Sequence, residues 1–301
     1  MKLGNVTAGI RKFFDKTFPV YNFIILATIF IISAYPFWYV VMYSLSNPAA
    51  VGSEFLLYPL GFTLESYKQA FATAEIFNAF FVSVARSLIG SVAGTFISLM
   101  VAYGLSKKNL VGRRFLTLYF IITMYLSAGM IPGYLVAKSL HLVGSFWVYI
   151  LPLLMNVYNM ILIKNYIESL PESLSESAYI DGANDFTIFI RIVTPLCKPV
   201  LAAVVLFASV THWNSYTDTL IYCATVPKLH TLQYVLMTLI GNITKASSDL
   251  SSVTDLAAGN TVTPMSVRMA VTVITILPIS LVYPFLQKYF IKGMMLGAVK
   301  G

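Results

Sequence analysis

Charge is what this sequence has least of. Asp, Glu, Lys and Arg together make up 11% of its 301 residues, against about a quarter in ordinary soluble domains. Hydrophobic residues make up 58%. Even a domain of about 300 residues buries only about 75% of its unfolded surface, so a soluble core cannot absorb that much apolar area, and the surplus must face lipid. The two cysteines, Cys197 and Cys223, are too few for a disulfide framework. His141, His212 and His230 are scattered without ligand spacing, and a metal centre is not expected. The chain has no G-x-x-x-x-G-K-[ST] phosphate loop, which excludes the usual cradle for ATP. No carboxylate pair lies in an apolar run and no Ser/His/Asp set converges on one face, so membrane enzyme chemistry has no visible carrier.

What is present is a series of long apolar runs. A membrane helix needs about 20 mostly apolar residues, and six stretches qualify: 21–45, 77–105, 115–137, 145–164, 198–224 and 265–290. Lipid supplies no partner for peptide N–H and C=O groups, and the period-two alternation of a membrane barrel is absent. The expected fold is therefore an all-α polytopic membrane protein with six transmembrane helices. The first run is longer than the apolar core of a signal peptide, about 7–15 residues, and reads as a retained spanning helix.

The net charge of +8 sits in short clusters between the runs, which is how topology determinants look rather than a nucleic-acid surface. Lys and Arg mark the cytoplasmic side. The segment 1–20 carries Lys2, Arg11, Lys12 and Lys16, the 106–114 loop carries Lys107, Lys108, Arg113 and Arg114, and the tail 291–301 carries Lys292 and Lys300. Fourteen of the 20 basic residues fall on that side and four (Lys68, Lys138, Lys228, Lys245) on the other. Both termini are expected in the cytoplasm of a bacterial cell, with residues 21–290 forming the permease domain.

One connection is too long and too acidic for a simple link. Segment 165–197, expected inside, holds Glu168, Glu172, Glu176, Asp181 and Asp185. Pro171 can open a helix, Ser173 and Glu176 fit a capping box, Gly182 permits a sharp turn, and Pro195 is expected to close the second helix. The result is a compact knuckle presenting Ala178, Ala183 and Phe186. Its residues Glu176-Ser177-Ala178, then Gly182, then Ile192, Thr194 and Pro195 keep the spacing Glu-Ala-Ala, three residues, Gly, nine residues, Ile-x-Leu-Pro. That pattern resembles the EAA coupling loop of binding-protein-dependent ABC importer permeases, with Ser177 in place of Ala and Thr194 in place of Leu. Residues 102–114 (AYGLSKKNLVGRR), 127–136 (SAGMIPGYLV), Trp213-Asn214 and the end from Gln287 to Gly301 resemble the second maltose-type permease subunit of oligosaccharide importers.

The resemblance implies a coupling-helix loop between helices 4 and 5, with Glu176, Ser177, Ala178, Asp181, Gly182, Ala183 and Pro195 against an ATPase. It implies a tail (Gly297, Val299, Lys300, Gly301) reaching the ATPase interface. It further implies a second homologous permease subunit, two ATPase subunits that bind ATP and Mg, and an extracellular solute-binding protein, with the Ser/Thr-rich segment around Lys245–Thr254 a candidate contact for the last. This chain itself is then no enzyme and binds no cofactor. Asn156, Tyr158, Asn159, Trp213, Asn214, Tyr216 and Asp218 offer hydrogen bonds and aromatic faces to a sugar, although polar groups also join membrane helices. Arg86, within the second run, has two readings: it faces a cavity or a partner, or it snorkels to the outer interface. The function read here is import of oligosaccharides by alternating access. Another polar solute is the alternative, and an ion-coupled secondary transporter is disfavoured by the lack of intramembrane acids and inverted repeats.

Overall fold

The computed structural model describes residues 3–51, 55–72, 74–246 and 262–298. Among these residues all regular structure is helical, with no strand. The first helix, α1 (Leu3–Ser44), is followed by the short α2 (Glu65–Ala72) and the uninterrupted α3 (Ala74–Ser106). Then come α4 (Arg113–Tyr125), α5 (Met130–Ser139), α6 (Val157–Glu168), α7 (Ser173–Ile180), α8 (Asp185–Ile188) and α9 (Thr194–Leu196). The last three are α10 (Lys198–Asn214), α11 (Leu232–Ala246) and α12 (Pro264–Ala298). Three stretches are long and apolar enough to cross a membrane unaided: Phe18–Ser44, Glu75–Ser106 and Pro264–Val282.

The other three apolar runs are broken. Run 115–137 divides into α4 and α5, bent by 114°. The break centres on Gly129, at φ 83° and ψ 179°, a region open in practice to glycine alone. Run 145–164 starts as tight 3₁₀ turns over Phe146–Leu153 and bends by 47° into α6. There Asn156 caps the new helix, its Oδ1 accepting from the Asn159 N–H at 3.0 Å. Run 198–224 is helical only to Asn214, meets the preceding helical stretch Asp185–Leu196 at 78°, and continues into a separate π turn over Thr219–Cys223.

The chain divides into two compact units. In the first, Met1–Ala70 with Lys245–Val273, the segment after α1 folds back on its end. Trp38 Nε1 donates to the Leu57 carbonyl at 3.0 Å, and the Ser44 and Tyr67 hydroxyls meet at 2.7 Å. In the second, Phe71–Thr244 with Ile274–Gly301, α3 is the central element, packed against α10 and α6. Leu99, Ala102, Met160, Ile163, Ile188 and Val204 form its largest apolar cluster. A smaller one gathers Ala137, Val148, Tyr149, Ile150 and Cys223. Both cysteines are buried and unpaired.

Candidate functional site

Two places in the second unit carry functional character: the knuckle over residues 171–196 and a cavity of mixed polar and apolar lining beside α3. The knuckle is α7, a turn, and α8 running through a π turn (Phe189–Val193) into α9. Gly182 sits at φ 81°, where an L-residue strains its backbone, and a Cβ there would touch nothing. The requirement for glycine is therefore conformational. Asn184 caps α8, accepting from Thr187 N at 2.8 Å.

Two local expectations differ from what is found. Ser173 and Glu176 form no capping box; the Ser175 and Glu176 N–H groups bond to the Glu172 carbonyl instead. Pro195 stands one residue before the stretch Asp185–Leu196 ends and bends by 78° into α10, in line with its expected place at the helix end, and Thr194 Oγ1 donates to Phe189 O at 2.7 Å. Ala178 is 8% exposed and belongs to the unit's core, with Ala183 packed against that core. Their small side chains draw the knuckle onto the bundle, so they do not present themselves outward. What points outward is Ile180, 86% exposed, and Phe186, 70% exposed, one on each side of Gly182. Glu176, Ser177, Asp181 and Pro195 are exposed as well.

Three of the five acids of this segment, Glu168, Glu172 and Asp185, pair with basic residues at or beside the loop after α3. Lys108 pairs with Glu172, Arg113 with Glu168, and Lys164 with Glu168 at 2.8 Å. Lys107 makes the most extensive contacts: Nζ lies 2.8 Å from Tyr179 Oη and 2.9 Å from Asp185 Oδ1. It also lies 4.5 Å from the Tyr103 ring centre. Partial burial alone would lower its pKa, but hydrogen bonds to Tyr103, Tyr179 and Asp185 outweigh that and raise it above the usual lysine value. The Tyr179 hydroxyl, then Lys107, hold the Asp185 carboxyl below its usual range.

The cavity, about 290 Å³, lies between α3, the start of α6 and α10. Asn156, Tyr158 and Asn159 line it together with Ser98, Thr211 and His212. Gly90, Gly94 and Ser98 share one face of α3 at four-residue spacing, which makes the space. A Cβ on Gly90 would run into the His212 imidazole, and one on Gly94 would stand 3.3 Å from the Leu154 carbonyl oxygen. His212 is buried, and its Nδ1 has no hydrogen-bond partner. Sequence reasoning missed His212 and the glycines; the Gly90–Gly94–Ser98 spacing was the available signal.

The remaining candidates lie off the cavity. Arg86 is completely buried. Its Nη1 donates to Ser215 O at 3.1 Å and Asp218 Oδ1 at 3.2 Å, and its Nη2 pairs with Asp218 Oδ2. The guanidinium carbon lies 4.6 Å from the Tyr149 ring centre. Arg86 thus faces a partner, with Asp218 as its counter-ion, and is neither on the cavity wall nor snorkelling. Trp213 is buried, donating from Nε1 to Thr275 O at 3.0 Å. Asn214 is exposed and Tyr216 half-buried. Gly297 falls in the last turn of α12, whereas Val299, Lys300 and Gly301 lie outside the described residues, as does most of the Lys245–Thr254 segment. Among the described residues no group of three or more His, Cys, Asp or Glu is placed to hold a metal ion.

Helices long and apolar enough to cross a membrane, packed around a cavity of mixed polar and apolar lining, define a membrane protein. Residues 94–296 match the family described as binding-protein-dependent transport system inner membrane component, and the chain belongs to it. It is a permease of the bacterial cell membrane. It is similar to the polygalacturonan/rhamnogalacturonan transport system permease protein YtcP of Bacillus subtilis (strain 168), 38% identical over 97% of this chain and 99% of that one. Protein LplC of the same bacterium is 39% identical, over 95% of this chain and 96% of its own. A chain in the crystal structure of a bacterial ABC transporter involved in the import of the acidic polysaccharide alginate has the same fold. It superposes with a TM-score of 0.82 at 29% identity, covering 92% of this chain and 97% of that one.

Proposed function

We propose that this chain is one of two homologous permease subunits of an ABC importer for oligosaccharides, with six spans, one over each apolar run, and both termini in the cytoplasm. Two partner ATPases bind ATP and Mg and dock on the knuckle; an extracellular solute-binding protein delivers the sugar. The observation that carries this reading is the pair of exposed apolar side chains, Ile180 and Phe186, at the tip of a knuckle otherwise tied firmly to the bundle. Large apolar groups on a charged, water-facing loop are explained by a partner that covers them. Glu176, Ser177, Asp181, Gly182 and Pro195 would rim that contact, Ala178 and Ala183 would fix its position, and the tail from Gly297 to Gly301 would reach the same partners.

The sugar assignment is supported by the two carbohydrate systems among its relatives and by the neutral hydroxyl and amide groups of the cavity wall. Asn156, Tyr158, Asn159 and His212 would contact sugar hydroxyls; Arg86, Asp218 and Trp213 would hold the surrounding frame. The test is ATPase activity of the co-expressed complex in nanodiscs, with and without sugar-loaded binding protein. Stimulation by loaded binding protein, lost with Gly182→Arg while membrane insertion persists, is the expected result. Normal uptake by Gly182→Arg would remove the docking assignment, and stimulation by a non-sugar solute alone would remove the oligosaccharide.

A further inference from the structure

The loop after α3 grips the knuckle on both sides of its turn. Tyr179 is the penultimate residue of α7 and Asp185 the first of α8, with the Gly182 turn between them, and Lys107 holds both at 2.8 and 2.9 Å. Tyr103, one turn back on α3, closes the group: its hydroxyl donates to the Asp185 backbone carbonyl at 3.2 Å, and its ring lies under the Lys107 ammonium. Tyr179 donates to Asp185 Oδ1, so every member touches at least two others. Lys107 follows directly on the last residue of α3, where a cation is favoured by the helix dipole and the tether is short. The knuckle cannot shift relative to α3 without breaking several of these contacts together.

From this geometry we infer that Lys107, with Tyr103, Tyr179 and Asp185, is the joint that transmits movement of the ATPase-docking knuckle to α3. The helix that receives the movement is the one whose Gly90–Gly94–Ser98 face lines the cavity. Lys107 is a positioning residue; it touches neither nucleotide nor sugar. The Lys108–Glu172 pair is a single exposed contact, where ion pairs contribute little, and Arg113–Glu168, shared with Lys164, joins α4 to α6 and not to either side of the Gly182 turn. The four-membered group is different because charge, hydroxyl and ring contacts constrain one another.

The inference rests on the docking assignment above, and the experiment separates the two. The full complex with Lys107→Met is reconstituted in proteoliposomes, and co-purification of the ATPase, basal ATP hydrolysis, and sugar uptake per ATP hydrolysed are measured. Lys107→Met should retain the ATPase and hydrolyse ATP, while uptake per ATP falls by roughly 2- to 30-fold, the span expected for loss of a coupling contact. Tyr179→Phe, which deletes one hydroxyl, should give a smaller fall in the same direction, and Lys107→Arg should restore part of the loss. Unchanged uptake per ATP in Lys107→Met, or loss of the bound ATPase in both Lys107→Met and Tyr179→Phe, would overturn the joint. Loss of the docking assignment has its own signature, an ATPase that stays bound and fully coupled in Gly182→Arg.

Discussion

Arg86 is the largest side chain in the described structure to be wholly removed from solvent, and its partner Asp218 lies 132 residues further on. A cation in that position is tolerable only with a counter-ion and hydrogen bonds, since desolvation of an unpaired charge is severe. Asp218 supplies both oxygens, Ser215 a carbonyl, and Tyr149 a ring face, while Arg86 Nε has no partner. Removing one end of such a pair leaves a buried charge exposed to the full penalty. Asp218→Asn should therefore destabilise the protein by about 3–5 kcal/mol. Replacing both ends with apolar residues, Arg86→Met with Asp218→Leu, should recover most of the loss. Thermal unfolding of the purified complex in detergent reads both. Equal destabilisation by the single and double changes would mean that the charges themselves carry the fold.

At the scale of elements, the bends matter more than the spans. Apolar composition announces where a chain enters lipid, so the three unbroken spans within α1, α3 and α12 were legible. It does not announce where a run breaks, because breaking depends on single residues and on what can satisfy the freed backbone groups. Gly129 shares its run with Ser127, Pro132 and Gly133, and composition does not say which of them breaks the helix; its φ of 83° with ψ 179° divides α4 from α5. Gly129→Ala should force that residue out of its region at a cost of about 1–3 kcal/mol, lowering the unfolding temperature of the complex. Gly104→Ala, a helical glycine on α3 with open space at its Cβ, should lower it by less or raise it. The knuckle's turn at Gly182 was legible for the converse reason, since the local pattern Glu-x-Ala, Gly, Pro encodes it within twenty residues or so. Its acids were not. Their partners Lys107, Lys108 and Arg113 lie on a different loop, and pairing between loops leaves no trace in the spacing of either. The outward face of the knuckle was misread for the same reason: small residues near a helix turn can serve a foreign surface or the chain's own core, and only packing distinguishes Ala178 from Ile180.

At the scale of the whole molecule, orientation in the membrane is a charge argument, and it decides whether the knuckle can meet an ATPase at all. Fourteen of 20 Lys and Arg lie on the face assigned to the cytoplasm, a bias that sets topology through the short loops. Ile180, on the knuckle, and Lys228, in the connection between α10 and α11, should therefore lie on opposite faces. Both residues are exposed, and both native cysteines are buried, so a single introduced thiol should dominate labelling once Cys197 and Cys223 are changed to Ala. In right-side-out vesicles a membrane-impermeant maleimide should react with Lys228→Cys at once and with Ile180→Cys only after permeabilisation. Co-expressed ATPase should slow the second reaction further, since it would cover that tip. Immediate labelling of Ile180→Cys from outside would place the knuckle on the wrong face of the membrane. The exposed apolar pair would then need another occupant, and the joint at Lys107 would transmit nothing from ATP.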